Sequence, residues 1–132
     1  GERAGAPGVW QFPQGGAEEG FTLQENVLKE LYEELGVVKE KLSIVKQLNA
    51  THEYEWDNPP DYAVNRWRGQ TQTFWLVQFL GSDDDFVLDR FQIELMNWKW
   101  CSVDEVQAMA QPKRLPGYLE PLQEFEEYCS SL

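Results

Sequence analysis

Three glutamates, Glu30, Glu33 and Glu34, are the residues of this chain whose types and spacing best suit chemistry. In a helix, positions i, i+3 and i+4 lie side by side on one face. Adjacent carboxylates repel one another, but they suit hard cations such as Mg²⁺, which are commonly held by carboxylates together with substrate phosphates. The spacing therefore indicates a divalent-metal site for phosphate chemistry. The alternative is a solvated acidic face, which accounts better for three glutamates considered alone.

The flanking sequence predicts the helix that positions these carboxylates. Thr22 and Glu25 have the spacing of a capping box, and Gly36 suits a left-handed C-terminal cap. Before the helix, residues 13–16 (PQGG) form a glycine-rich turn whose main chain can approach a ligand closely. The apolar residues that recur at three- and four-residue steps, and that we expect to pack on a core, are Val27, Leu28, Leu31 and Leu35.

The remaining elements are predicted from residue type and periodicity. Strands are expected at 42–48, 51–56, 70–80 (a central strand) and 98–101 (with its indoles on one face), and a loop at 57–61. A second capping box, Ser102 with Glu105, opens a helix that ends near Ala110. A last helix is expected from about Tyr118 to Tyr128, with Leu119, Leu122, Phe125 and Cys129 facing inward. Strands mixed with three helices predict an α/β sandwich.

Composition limits the classes of function. The chain has 132 residues, of which 42% are hydrophobic and 14% aromatic, so we expect one globular domain. A net charge of −12 argues against a broad nucleic-acid surface, since phosphate backbones require basic patches. Two cysteines, Cys101 and Cys129, are too few for a disulfide framework, and free thiols are expected. No apolar run approaches the roughly 18 residues of a membrane span.

Residues 15–37 resemble the Nudix box, G-x5-E-x7-R-E-U-x-E-E-x-G-U, in which U is aliphatic. Residues 10–16 (WQFPQGG) look like the entry of the branch that contains diadenosine tetraphosphate hydrolases and bacterial RNA pyrophosphohydrolases. Residues 67–76 resemble the family's G-Q-x-Q-x-W/F-F-L strand, and residues 94–100 its E-x-x-x-W-x-W segment. Residues 112–118 resemble the basic step before its last helix, so the resemblance covers nearly the whole chain in order.

The resemblance implies a Nudix-type α/β/α sandwich with a mixed sheet, in a single domain over residues 1–132. Family members have at least one strand before the entry segment, so we expect N-terminal strands to lie outside this numbering. The implied cofactor is Mg²⁺ or Mn²⁺, and its ligands are Glu30, Glu33, Glu34 and Glu94. The implied catalytic residues are Glu33, Glu34 and Glu94, one of which accepts a proton from the attacking water. For Glu94 the alternative is an exposed loop carboxylate.

Two positions depart from the box. Lys29 occupies the place of the family arginine, which orients the catalytic glutamates, and Phe21 occupies the place of the first glutamate. Lysine keeps the charge but lacks the planar fork of donors, so we assign Lys29 a weaker orienting role. Glu18 and Glu19 are out of register with that first glutamate, so neither is assigned its role.

The substrate contacts that the resemblance implies are Arg3, Gly15, Gly16, Lys113 and Arg114. For Lys113 and Arg114 the alternative is that they are ordinary charged surface residues. Pro112 stands where some relatives have an aromatic residue, which puts base stacking at that position in doubt.

The function expected from these residues is hydrolysis of a phosphoanhydride bond in a nucleotide polyphosphate, such as diadenosine tetraphosphate. One alternative is removal of pyrophosphate from an RNA 5′ end. The other is a non-catalytic Nudix-fold module that binds a nucleotide, which Phe21 and Lys29 keep open. We expect no membrane partner and a cytoplasmic location, with a targeting sequence left open.

Overall fold

The structure is a computed structural model that describes residues 1–55 and 69–132. The elements are β1 (Glu2–Arg3), α1 (Leu23–Leu35), β2 (Leu42–Glu55), β3 (Gly69–Phe79), β4 (Leu95–Asn97), α2 (Val103–Met109) and α3 (Leu115–Ser130), with short 3₁₀ turns at Lys39–Lys41 and Asp83–Asp85. The loop predicted at 57–61 and the first residues of the 67–76 motif lie outside the described residues.

Helix α1 has the boundaries that its sequence predicts. The Thr22 hydroxyl accepts from the Glu25 N–H, and the Glu25 carboxylate accepts from the Thr22 N–H, which completes the capping box. At the other end Gly36 adopts φ 70°, and a Cβ there would overlap the Val87 carbonyl. Only glycine satisfies both conditions without strain. The predicted helix is confirmed.

The buried face of α1 differs from the prediction. Asn26 and Glu34 are its buried residues, whereas the apolar residues of the predicted stripe are only half-buried. Asn26 donates through Nδ2 to the Gly16 carbonyl, and Glu34 accepts from the Gln14 N–H. The segment before the helix therefore covers the side of α1 that carries these polar residues. The two hydrogen bonds offset the cost of burying polar groups.

Residues 42–55 form one strand rather than the two strands predicted. Pairing of β2 with β3 is antiparallel, and its register shifts between Gln47 and Thr51. The extra residues there are a bulge, and the N–H groups of Asn49 and Ala50 donate to the two carboxylate oxygens of Glu124 on α3. Because the helix satisfies these donors, the strand continues through a break that the sequence suggests is its end.

The predicted strand at 70–80 is present as β3. It pairs with β2, and within the residues described it has no second neighbouring strand that would make it central. Both strand ladders of this part of the chain are antiparallel, and Trp10 forms a parallel bridge with Ala110. The α/β class is confirmed.

The predicted strand at 98–101 is wrong. The strand ends at Asn97 and pairs with β1, with Arg3 opposite Leu95. Trp98 instead stacks on Phe86, with ring centroids 4.0 Å apart, and meets Trp100 edge to face. Contacts between the aromatic rings of this cluster therefore replace strand pairing beyond Asn97.

The two C-terminal helices follow the prediction in part. The Ser102–Glu105 capping box opens α2 as expected. Helix α3 begins at Leu115, earlier than predicted, because Pro116 lies in its first turn, where a missing N–H costs nothing. Leu122 is buried and Phe125 half-buried as predicted, but Leu119 and Cys129 are exposed, so their inward placement is wrong.

The core draws its buried apolar residues from β2, β4, α3 and the segment after α1. Its buried apolar members are Val37, Leu48, Ala50, Leu95, Tyr118 and Leu122. A cavity of about 280 Å³ lies beside it, lined by aromatic and sulfur-containing side chains that include Trp10, Trp98 and Met109. Cys101 and Cys129 are free thiols, as expected. Among the helices of the described residues, none is long and apolar enough to cross a membrane.

Candidate functional site

Glu34 is the buried centre of the site. Its side chain lies in the last turn of α1 and the residue is 4% exposed. Its Oε2 accepts from the Gln14 N–H at 2.9 Å, which joins the end of the helix to the glycine-rich entry. A buried carboxylate with a main-chain donor is held in one orientation.

The glycine-rich entry lies directly against the helix. A Cβ at Gly15 would overlap the Glu30 carboxylate, so any other residue here would require the Glu30 side chain or the backbone to move. Asn26 Nδ2 holds the next residue by donating to the Gly16 carbonyl at 3.1 Å. Sequence reasoning did not select Asn26. Its four-residue offset from Glu30 and the further four to Glu34 were the available signal, since these positions share one face.

Glu94 meets Glu34 from outside the helix. The neighbouring Glu94 carboxyl favours the protonated form of Glu34. Burial, and secondarily Glu94, raises the pKa of Glu34 to about 8, against the opposing effect of the Gln14 N–H. Burial also raises the pKa of Glu30, with the Glu33 charge adding to it. Glu34 is therefore the carboxyl whose ionisation is disfavoured here when only protein groups surround it.

Lys29 connects two carboxylates across the helix surface. Its Nζ lies 2.9 Å from Glu18 Oε1 and 2.6 Å from Glu33 Oε1, and 5.7 Å from the centroid of the Phe21 ring. Hydrogen bonding to Glu18 and then to Glu33 raises the pKa of Lys29. The contact with Glu33 agrees with the orienting role predicted for Lys29. The loop also brings the Glu18 carboxylate to Lys29, a contact that its sequence register does not predict.

Of the predicted basic contacts, Arg114 reaches the site. Gln14 Oε1 accepts from Arg114 Nη1 at 3.0 Å and from Gln72 Nε2 at 3.3 Å. Lys113, next to it, is exposed. Arg3 is exposed on β1, where the adjacent Ala4 N–H donates to the Glu94 carbonyl at 2.9 Å. The structure thus brings Arg114 to the entry segment and the backbone beside Arg3 to Glu94.

The donor set fits Mg²⁺ or Mn²⁺ in its chemistry. Over residues 1–55 and 69–132, no three carboxylates form a closed metal cage. Glu33 is paired with Lys29, and burial raises the pKa of Glu34, so both interactions reduce repulsion among the carboxylates. Mg²⁺ keeps several waters and needs only one or two carboxylates plus phosphate oxygens, so a complete cage is not required.

Comparison with known proteins decides the family. The NUDIX domain model matches residues 2–124. The chain belongs to the Nudix family. Two Nudix relatives illustrate the similarity. An RNA pyrophosphohydrolase of Cereibacter sphaeroides is 32% identical over 135 residues, covering 98% of this chain and 82% of that protein. Nudix hydrolase 25 of Arabidopsis thaliana is 31% identical over 137 residues, covering 97% and 77%.

A solved structure confirms the Nudix fold. The binary complex of a C. elegans Ap4A hydrolase superposes with a TM-score of 0.69 at 22% identity, covering 99% of this chain and 84% of that one. At this identity the likeness concerns the fold alone. The predicted family, the fold class and the enzyme class, a Nudix pyrophosphohydrolase, are confirmed.

Proposed function

We propose that this Nudix enzyme hydrolyses a phosphoanhydride bond in a dinucleoside polyphosphate such as diadenosine tetraphosphate, with Mg²⁺ or Mn²⁺. The observation that carries the proposal is the meeting of Glu34 and Glu94 beside a glycine-rich backbone that lies against Glu30. A buried carboxyl with a raised pKa, beside a second carboxyl, is a group whose negative charge a cation can balance. The likeness of residues 10–16 to the dinucleoside polyphosphate branch supports the substrate.

Each carboxylate has a distinct part in this proposal. Glu30, Glu33, Glu34 and Glu94 would hold the metal. When bound, the metal offsets phosphate charge and lowers the pKa of water. Glu94, which is exposed, or one of the helix glutamates accepts the proton of the attacking water. Lys29 keeps Glu33 in place through its ion pair.

The phosphate chain would lie along the entry segment. Gly15 and Gly16 leave its main chain open to phosphate oxygens, and Arg114 approaches it through Gln14. Arg114 Nε is buried and, in the described part of the chain, has no hydrogen-bond partner. A guanidinium with a spare donor suits an anionic ligand. Lys113 and Arg3 are proposed as outer contacts that attract the polyphosphate.

Pyrophosphate removal from an RNA 5′ end is the second candidate. The observation that favours it is that relatives at 32% identity carry the name RNA pyrophosphohydrolase. The net charge of −12 opposes extended contact with an RNA backbone but permits a contact confined to the 5′ end. The non-catalytic module is the third candidate, and it depends on Phe21 and Lys29.

The deciding experiment compares Mg²⁺-dependent hydrolysis of diadenosine tetraphosphate and of a 5′-triphosphate RNA, using the native chain and Glu34→Gln. Glu126→Gln, an exposed change on α3, is the matched control. We expect dinucleotide cleavage that falls at least 100-fold in Glu34→Gln and is unchanged in the control. Faster RNA cleavage would favour the second candidate. Nucleotide binding without turnover in the native chain would favour the binding module.

A cytoplasmic location and a single domain over residues 1–132 stay proposals from the sequence. Subcellular fractionation tests the location, and limited proteolysis tests the domain. A protease-resistant fragment much shorter than the chain would contradict the single domain.

A further inference from the structure

We propose that Glu18 is a positioning residue of the metal site, which acts through Lys29 to fix the carboxylate of Glu33. This inference rests on the proposed metal-dependent function. Glu18 matches no position of the Nudix box and lies in the loop between the glycine-rich entry and α1. Its role comes from the ion pair that it makes with Lys29.

Lys29 forms a bridge between the loop and the helix. Its ammonium lies 2.9 Å from Glu18 Oε1 and 2.6 Å from Glu33 Oε1. Without Glu18, Lys29 would retain a single carboxylate and more freedom of rotation about its long side chain. Glu33, a predicted metal ligand, would then lose an ammonium group held in one place.

The exposure of the three side chains indicates that the bridge from Glu18 through Lys29 orients Glu33 more than it stabilises the fold. The side chains of Lys29, Glu18 and Glu33 are 26%, 46% and 36% exposed. Ion pairs this accessible to water contribute little to folding stability. Such ion pairs can still orient a metal-ligating side chain, because groups that bind a metal ligand affect metal affinity. Their effect on the stability of the fold is smaller.

The backbone on both sides of Glu18 is held in place. Gly16 is bound by Asn26, and Thr22 is fixed by its capping box. A short loop between two such points has a restricted reach, so it presents the Glu18 carboxylate to Lys29 with little additional loss of entropy.

Phe21 explains why the carboxylate comes from Glu18. The Phe21 ring lies 5.7 Å from Lys29 Nζ, where it attracts the cation but cannot accept a hydrogen bond as a carboxylate does. Phe21, at the position of the family's first glutamate, therefore offers no carboxylate to Lys29. Lysine is a compact cation with three rotatable donors, so it can take its second carboxylate from a different direction. Glu18 thus supplies to Lys29 the carboxylate that Phe21 does not provide.

The test measures Mn²⁺ binding to the metal-free protein by titration calorimetry, together with turnover and thermal unfolding. The variants are Glu18→Gln, the neighbouring exposed Glu19→Gln as matched control, and the double variant Glu18→Gln with Phe21→Glu. We expect Glu18→Gln to weaken Mn²⁺ binding about 10-fold and to lower kcat similarly. Its melting temperature should stay within about 2 °C of the native value, and Glu19→Gln should resemble the native chain.

Rescue separates positioning from a general structural effect. Phe21→Glu restores a carboxylate near Lys29, so the double variant should regain most of the lost Mn²⁺ affinity. Equal Mn²⁺ affinities for Glu18→Gln and Glu19→Gln would overturn the inference, as would a native chain that binds no Mn²⁺. A native chain that binds Mn²⁺ but cleaves neither substrate would overturn the proposed function instead, and the affinities would still decide the role of Glu18.

Discussion

Gly15 illustrates how one missing side chain shapes the site. The backbone of the entry segment touches the Glu30 carboxylate at the position a Cβ would occupy, whereas a Cβ at Gly16 would meet nothing within 4 Å. The two neighbouring glycines therefore have different roles. Gly15 allows close approach to a carboxylate, and Gly16 accepts the Asn26 hydrogen bond through its carbonyl.

Gly15→Ala should displace either the entry backbone or Glu30, and we expect Mn²⁺ affinity and kcat to fall about 10- to 100-fold, since small misplacements of catalytic groups are costly. Gly16→Ala is the matched comparison and should cause a clearly smaller loss. Calorimetry and steady-state kinetics measure both effects. Equal losses in the two variants would contradict the assigned contact with Glu30.

Glu34 makes the stability of the metal-free protein depend on pH. Its folded-state pKa is about 8, against an ordinary value of 4.5, so between these values the folded chain holds a proton that the unfolded chain has released. The free energy of unfolding should therefore decrease as pH rises from 4.5 to 8. Below pH 4.5 Glu34 is protonated in both the folded and the unfolded chain, so it no longer makes the free energy of unfolding depend on pH.

Glu34→Gln cannot ionise and should escape this loss. With EDTA present at pH 8.5, we expect the variant to be more stable than the native chain by about 2–4 kcal/mol, with near equality at pH 4.5. Urea unfolding at the two pH values measures the difference. A destabilised variant at pH 8.5, or a difference that does not change with pH, would show that burial of this carboxyl is less costly than we infer.

At the scale of elements, β2 depends on α3. The bulge of β2 has two adjacent N–H groups that find no partner in the ladder and donate to Glu124, at 2.7 and 3.1 Å. The strand therefore gains its length from a side chain on a helix remote in sequence. The two predicted strands became one for this reason.

Glu124→Ala should leave both N–H groups unsatisfied, and we expect a loss of about 2 kcal/mol in the free energy of unfolding. Glu126→Ala, an exposed change on the same helix, is the control and should change stability by less than about 0.5 kcal/mol. Chemical denaturation measures both. Similar values for the two variants would argue that water replaces the Glu124 carboxylate.

At the scale of the whole molecule, the site joins segments that are distant in the chain. Glu34 belongs to α1, Glu94 precedes β4, and Arg114 precedes α3, and Gln14 contacts both Glu34 and Arg114. The raised pKa of Glu34 depends on the fold, which buries this carboxyl and brings Glu94 beside it.

A cation bound by Glu34 should displace the proton that this carboxyl holds below its pKa of about 8. We expect Mn²⁺ binding at pH 6.5 to release close to one proton, and binding at pH 9 to release much less, because Glu34 is then already ionised. Mn²⁺ affinity should accordingly rise with pH and level off above about 8. Calorimetry in buffers of different ionisation enthalpy counts the protons. Constant proton release at both pH values would exclude Glu34 as their source.

The sequence by itself determined the features whose partners lie within a few residues. Both capping boxes, the Gly36 cap and the shared face of Glu30, Glu33 and Glu34 follow from spacing along one helix, because helix geometry sets which neighbours meet. The family was also readable, since its motifs recur in order along the chain.

Only the tertiary structure decided which charges share an environment. Four features depend on segments that loops bring together: the burial of Glu34, its raised pKa, the Lys29 contact with Glu18 and the strand bulge held by Glu124. The tryptophan segment near Trp98 shows the same limit, because aromatic packing and not strand propensity determined its path. Residue spacing determines contacts within an element, whereas burial and loop closure determine contacts between elements, and these set the chemistry of the carboxylates.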